Sequence, residues 1–549
     1  MITFIHDLAI TLSLTIGGQA YTVSEGNIKS LELDLDSYGF KGNISFEVMV
    51  EGSTDDFFTP ITTQKDLIEL SLNVQELVKD TDSTITPTPL TLSGLVTTRS
   101  FSEKTLTNVL PTQTLIISRL YSLTFADPAQ VLWKQHYPCD LFVDSTLKTL
   151  ITAHTSSKID LTYDWPVLET THPVLSLSLG ASNNQAGTPN CQASFYDYII
   201  WLVDTQDGVF SYDCTNNQYT LSASKSQEGT AQSLNALEVS TINVIFPEVP
   251  RHQPKVLNAY TESASITAVT NSNMESPTRH DYIGRYPIAS DGQARVTLET
   301  ARLKERSHEV AIEYKQFPLN VTPPGQLVDF QGSSAWSSSL FVQPNTYRVR
   351  KWHLSARWVK QGEFPGHSCY DMEHSIYLES KTEPWVDLPS YLLPAYPFFV
   401  EGKIVSEVGA DDEATYQFYT DSETSTNYYY TKIPLWENKK VRTAYLPNKD
   451  TGQFYFPPYK HQRVLIGLNF NHAFINAFLD WGNSTALPQD SLANHVVMGK
   501  TPTNRNTIKH SYIDNKPDLQ IQRIMDKDTE LLQFSDGYII IRTQLEEGE

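Results

Sequence analysis

At 549 residues, with 40% apolar and 19% charged side chains, the chain can bury several cores and is too sparingly charged to be disordered. Its formal charge of -22 repels nucleic-acid phosphate and anionic lipid, which excludes a broad basic binding surface. Length alone corresponds to about three to five domains.

The first hundred residues alternate with period two. Ile10, Leu12, Leu14 and Ile16 share one face of ITLSLTI, and Leu31, Leu33 and Leu35 oppose Glu32, Asp34 and Asp36 in LELDLD. Ile44, Phe46, Val48 and Val50 repeat the pattern, as do Ile68, Leu70, Leu72 and Val74. Such runs predict half-buried antiparallel strands, and a small β-barrel is a simple way to hide their edges. Near residue 120 the period changes. Asp127 and Pro128 mark a helix start, Asp144 is read as the N-cap of a helix through Leu147, Leu150, Ile151 and His154, and Ser194 with Asp197 opens a third. With the short strands GVFSYD and QYTLSAS this is an α+β segment.

Strands return after Pro250: VLNAYTESASITAVT, ARVTLETA, HEVAIEYK and YRVRKWHLSARW are the clearest, and Pro323, Pro324 and Gly325 form a turn. Residues 271–290 read as a polar insertion. From Tyr396, about five strands with little helical pattern fit a barrel of the OB type, with Val464, Ile466, Leu468 and Phe470 on one face. The tail from Leu519 is again short strands between polar turns, too small to bury itself. Leu519, Ile521, Ile539 and Ile541 are expected to face another chain.

Chemical motifs are weak. HExxH and GxSxG are absent, and Gly499, Lys500 and Thr501 imitate a phosphate loop that Asn494 breaks. His367, Cys369, Glu373 and His374 are acceptable zinc ligand types, but the spacing fits no standard site and the segment reads as a polar loop. The carboxylates of LDLDS and GADDE read as solvated charge, and Tyr428, Tyr429 and Tyr430 as a strand covered on both faces. Cys139, Cys191, Cys214 and Cys369 are scattered without a CxxC pair; a Cys191–Cys214 disulfide stays open. No catalytic, cofactor-binding or metal residue is assigned, and the chain is expected not to be an enzyme. The start, MITFIHDLAITLSLTI, lacks a basic leader region and carries Asp7, so no signal peptide is legible and a cytoplasmic origin is expected.

The order of these segments resembles VgrG and the related hub and spike proteins of contractile phage tails. The resemblance is carried by Tyr38-Gly39-Phe40 before the ISFEVMV strand, by RLYSLTFADPAQVLWKQHYP, by SFYDYIIWLVDTQDGVFSYD and by VPRHQPKVLNAYT. Farther on it is carried by EGKIV, KVRTAYLP, FYFPPYKHQRVLIGLNF and FLDWG, with Gly452, Phe454 and Pro457 near the expected turn. It departs from the family in having no inserted lysozyme module, no effector domain after the tail, and only a stub of the β-helical shaft.

The resemblance implies a mainly β fold with an α+β segment: two tube-type β-barrels, an OB-fold barrel and a short C-terminal β-prism or β-helix. It implies a first hub barrel over 1–115, an α+β hub domain over 116–245 and a second hub barrel with an insertion over 246–390. An OB-fold domain over 391–505 and a spike stub over 506–549 complete it. It further implies a homotrimer joining a hexameric Hcp-like tube to a PAAR-like tip, with baseplate proteins and effectors as partners, no nucleic acid and no cofactor, and secretion or injection on contraction. Type VI secretion, a phage tail and an extracellular injection particle remain alternatives. So does a different class, a glycan-acting or carbohydrate-binding β-protein, which a pocket with paired carboxylates or an aromatic platform would mark.

Overall fold

The computed structural model describes residues 4–51, 55–77, 87–106, 116–181, 190–330, 346–361, 368–405, 419–422, 424, 426–445, 460–479, 493–501 and 503–545. The chain divides into two compact units. Residues 1–137, 151–169 and 192–394 form the first, and residues 138–150, 170–191 and 395–549 the second.

The alternating N-terminal runs become β1 Phe4–Ile16, β2 Ile28–Asp36, β3 Gly39–Glu51, β4 Glu69–Glu76, β5 Leu90–Thr105 and β6 Ile116–Ala126. Their order is β2-β3-β6-β5-β4-β1, antiparallel throughout. Ile10, Leu12, Leu14, Leu31, Leu33, Leu35, Ile44, Phe46, Leu70, Leu72 and Val74 are all buried, as the alternation predicts. Later in the chain come β7 Val239–Ile245, β8 Glu309–Tyr314, β9 Leu327–Asp329, β10 Thr346–Gln361 and β11 Ser368–Ser380.

The pair β10–β11 serves two groups of strands. Lys351–Arg357 of β10 bonds β2, and Ser368–Met372 of β11 bonds β1, so β1–β6 and the pair close into a ring. At the other end, Thr346–Arg348 bonds β9 and His374–Glu379 bonds β8, which continues to β7. All belong to one 13-stranded sheet. The register of β10 shifts between Val349 and Lys351. This bulge moves the buried side from Tyr347 and Val349 to Trp352, Leu354 and Ala356. Two arginines flank it. Arg348 donates to Glu379 Oε1 at 3.2 Å, which Lys225 Nζ also reaches at 2.6 Å. Arg350 donates to Glu309 Oε2 at 2.7 Å and to Asp387. Buried charge is tolerated here because each ion is paired.

The α+β segment is fastened to the ring by Asp127. Its carboxylate caps the helix Pro128–Leu132 through Gln130 N at 3.0 Å, as expected. It also accepts from Phe40 N at 2.9 Å, Gln130 Nε2 at 2.7 Å and Tyr219 Oη at 2.6 Å. Burial pushes this carboxyl up, against the pull of those donors. Gly39 makes the approach possible: a Cβ there would lie 2.4 Å from Asp127 Oδ2. The helix Phe195–Thr205 carries the expected capping box of Ser194 and Asp197. It packs Phe195 against Trp133, beside the three-stranded sheet Asp160–Asp164, Gln218–Ser222, Val209–Asp213.

Three local expectations are corrected. Asp144 lies within the strand Cys139–Thr146 at φ 47; the helix is Leu147–Ala153, and Thr146 Oγ1 accepts from Thr149 N at 3.2 Å instead. ARVTLETA lies in the helix Ala289–Arg302, where Arg295 and Glu299 pair at i, i+4 with 2.6 Å; Val296 and Leu298 had imitated a strand period. The supposed loop around Cys369 is strand β11, whose buried side is Tyr370, Met372, His374, Ile376 and Leu378.

In the second unit β12 Phe398–Val405, β13 Asn427–Ile433, β14 Lys439–Ala444, β15 Arg463–Leu468 and β16 Ala473–Phe478 close a five-stranded barrel. The ring order is β12-β13-β14-β16-β15, with β14 and β16 parallel. Phe398, Ile404, Tyr429, Ile433, Val441, Val464, Ile466 and Leu468 fill it, joined by Leu141 and Val174 from the paired strands Cys139–Thr146 and Thr171–Ser178.

Two consequences are measurable. Asp127→Ala strands the Phe40 amide and the Tyr219 hydroxyl, and is expected to cost about 2–4 kcal/mol in denaturant unfolding. His374 lies between Tyr314 and Trp352, with its Nδ1 2.7 Å from the His353 carbonyl, and burial lowers its pKa from 6.5 to about 4. Between those values the unfolded chain binds the extra proton, so stability is full above pH 6.5 and falls as pH drops toward 4. The slope is at most about 1.4 kcal/mol per pH unit. Thermal melts from pH 7 to 4 are expected to show this loss, and His374→Phe to flatten it.

Candidate functional site

The tail forms β17 Asn494–Thr501, β18 Asn504–Ile513, β19 Lys516–Met525, β20 Asp528–Ser535 and β21 Tyr538–Gln544. They pair in simple succession as a five-stranded antiparallel meander. Asp514 and Asn515, and Asp536 with Gly537, take the left-handed conformations that two-residue hairpins need.

Register builds one apolar face from these strands. Val496, Ile508, Ile521, Leu532 and Ile541 stand opposite one another in a row across the whole sheet. A second row holds Asn494, His510, Leu519, Phe534 and Ile539. Among the described residues nothing covers the outer end: Ile539 is 63% exposed and Ile541 81%. The other face is mixed, with Val497, Ile524, Leu531 and Ile540 among polar residues. Asp518 accepts from Gln520 Nε2 at 2.8 Å and Gln533 Nε2 at 2.6 Å, and its carboxyl stays below the usual range because these donors, with Ser535, outweigh burial.

The four residues expected to face another chain, Leu519, Ile521, Ile539 and Ile541, therefore share this face in adjacent rows. Val496, Ile508, Leu532 and Phe534 belong with them and were not singled out. Their signal is period two, visible for Leu532 and Phe534 in TELLQFS but diluted by the polar residues around it.

The chemical candidates do not assemble. His367 lies outside the described residues. Cys369 donates to Asp7 Oδ1 at 2.7 Å, and alternation puts it with exposed Glu373 on one side of β11 and buried His374 on the other. Among the described residues no group of three His, Cys, Asp or Glu is placed to hold a metal. Asp34 lies 2.7 Å from His353 Nδ1 and 3.7 Å from Lys41 Nζ, and Asp36 pairs with Lys351; GADDE is outside the described residues.

Tyr429 is in the barrel core. Tyr428 and Tyr430 lie on its outer side with Tyr419, under Arg442 and Lys440. Gly499, Lys500 and Thr501 are in strand β17, not a phosphate loop, and Gly452, Phe454 and Pro457 fall outside the described residues. None of the four cysteines is in a disulfide. Among the described residues no helix is long and apolar enough to cross a membrane.

No protein-family model matches the sequence, and no curated protein does. Solved structures match nearly end to end. A chain of the lidless PdpA–VgrG complex has a TM-score of 0.70 at 12% identity, over 98% of this chain and 98% of that one. Chains of the lidded and half-lidded Francisella complex have a TM-score of 0.69 at 13% and 12% identity, each over 98% of this chain and over 80% and 89% of their own. At such identity the likeness is one of fold, and the chain has a VgrG-like, mainly β fold.

Proposed function

We propose that the chain is a structural subunit of a contractile injection machine: a trimeric hub and spike that joins the inner tube to a membrane-piercing tip and carries effectors with it. The observation that carries this reading is the apolar face of the terminal sheet. A lone sheet with one open face is marginal in water, and one row of five apolar side chains beside Leu519, Phe534 and Ile539 of the next requires a cover. Packing three such faces together supplies one. Charge is compatible with it: residues 494–545 hold seven Lys and Arg against six Asp and Glu, in a chain of net -22. Copies can meet here with little repulsion. The closed five-stranded barrel of the second unit, with β14 beside β16 in parallel, supports reading it as the OB-type module expected between hub and spike.

On this reading the hub strands of three copies form a surface for a hexameric Hcp-like tube, and the blunt end of the sheets takes a separate PAAR-like tip. Baseplate proteins surround the hub, and the particle is assembled in the cytoplasm and expelled on contraction. No turnover is required, since a rigid point driven by a sheath does mechanical work without a reacting group.

Light scattering on the intact chain is expected to give a trimer mass, whereas a monomer at every concentration sinks the proposal. Ile539→Asp with Ile541→Asp puts charge into the face and is expected to weaken trimerisation by at least about tenfold while the first unit melts as before. Deleting residues 536–549 is expected to abolish capture of the tip protein and, at concentrations where the truncated chain is still trimeric, to leave tube binding intact; retained tip binding would place the capping surface elsewhere.

A further inference from the structure

Residues 253–302 fold as a small layer within the first unit. The strand Gln253–Asn258 is central, Ser265–Ala268 runs antiparallel on one side, and Arg279–Gly284 runs parallel on the other. The helix Ala289–Arg302 covers one face. There Val256 is buried, Arg295 lies 5.0 Å over the Tyr282 ring, and buried Glu299 bridges Arg295 at 2.6 Å and Arg302 at 3.4 Å. Among the described residues no helix covers the opposite face. Register sets Ile266, Leu257 and Ile283 in one row across all three strands. Ile266 is 70% exposed and Ile283 75%.

The electrostatics of this layer differ from those of the chain around it. Residues 253–302 hold five Lys and Arg and five Asp and Glu, in a chain of net -22. On the open face stand Lys255, Arg279 and Asp281, the last two paired at 3.2 Å, so the apolar row is bordered by one uncancelled cation. Near-neutral charge with an exposed apolar row is also the signature of the terminal sheet. Elsewhere like copies of this chain repel, and within a Debye length of about 8 Å an acidic neighbour is attracted to Lys255. An extended row of large apolar side chains that stayed in water would be an aggregation hazard, so the complementary surface has to be present wherever the protein works.

We propose that this face docks on a second copy of the same chain, the Ile266–Leu257–Ile283 row seating against an acidic, apolar-bearing surface of the neighbour. The inference rests on the trimer reading and adds to it a second contact, formed by an element distinct from the terminal sheet.

The test compares the full-length chain with Ile266→Asp/Ile283→Asp and, separately, with Lys255→Glu. Mass is followed by light scattering through a dilution series at low and high salt, and circular dichroism with melting controls for folding. Both variants are expected to fold as the parent does. The double variant should need at least about tenfold more protein to form trimer. Lys255→Glu should weaken assembly more at low salt than at high salt. Dissociation at the parent's concentration in both variants, from a parent that is trimeric, overturns this inference and leaves the trimer reading standing. A parent that is monomeric throughout overturns both. A foreign protein held on this face while copies associate unchanged also overturns it.

Discussion

The first unit depends on a sharing of hydrogen bonds along β10 and β11. Strands of 16 and 13 residues are long enough to complete a ring at one end and to anchor a second group of strands at the other. Such sharing requires that the buried side change parity partway along β10, and the bulge between Val349 and Lys351 supplies the change. Two arginines beside it, together with Lys225, are accommodated by the carboxylates of Glu309, Glu379 and Asp387. Remove the bulge and either Tyr347 and Val349 or Trp352 and Leu354 turn outward, because a one-residue slip reverses every side chain in a strand. Asp127 plays the corresponding part between the ring and the α+β segment, where one carboxylate collects donors from β3, its own helix and Tyr219.

Much of this was legible in the residues. Alternation in β1 to β4 reports burial directly, because each of those strands has one wet side. The caps at Asp127 and Ser194 are short-range chemistry and were read correctly from a few positions. The Val464, Ile466 and Leu468 face of the barrel was equally plain. What failed was local ambiguity: Val296 and Leu298 fit period two as well as a helix, and only the Arg295–Glu299 spacing favoured the helix. Asp144 was a plausible cap that Thr146 displaced by standing nearer the first turn. The sharing of β10 and β11 was invisible, since no short-range pattern announces that Met372 will pair with Phe4.

The terminal sheet was half legible. Leu519, Ile521, Ile539 and Ile541 announce an apolar side by their own alternation. The breadth of that side depends on cross-strand register, which the left-handed turns at Asp514, Asn515, Asp536 and Gly537 fix. The chemical motifs were misleading for the same reason that strands are informative. His374 is close to Cys369 in the chain, yet alternation sends the two side chains to opposite sides of β11.

The pairing of Phe4 with Met372 also governs the order in which the protein can be made. At about 5–20 residues per second, ribosomal synthesis reaches β11 some twenty seconds to a minute or more after β1 has emerged. Throughout that interval Phe4–Leu8 of β1 and Ser30–Asp36 of β2 lack the strands that close the ring, while Leu12–Ile16 of β1 already has Gln19–Val23 beside it. The fold therefore carries a long kinetic exposure written into its topology, which ends only when the last ring strands arrive.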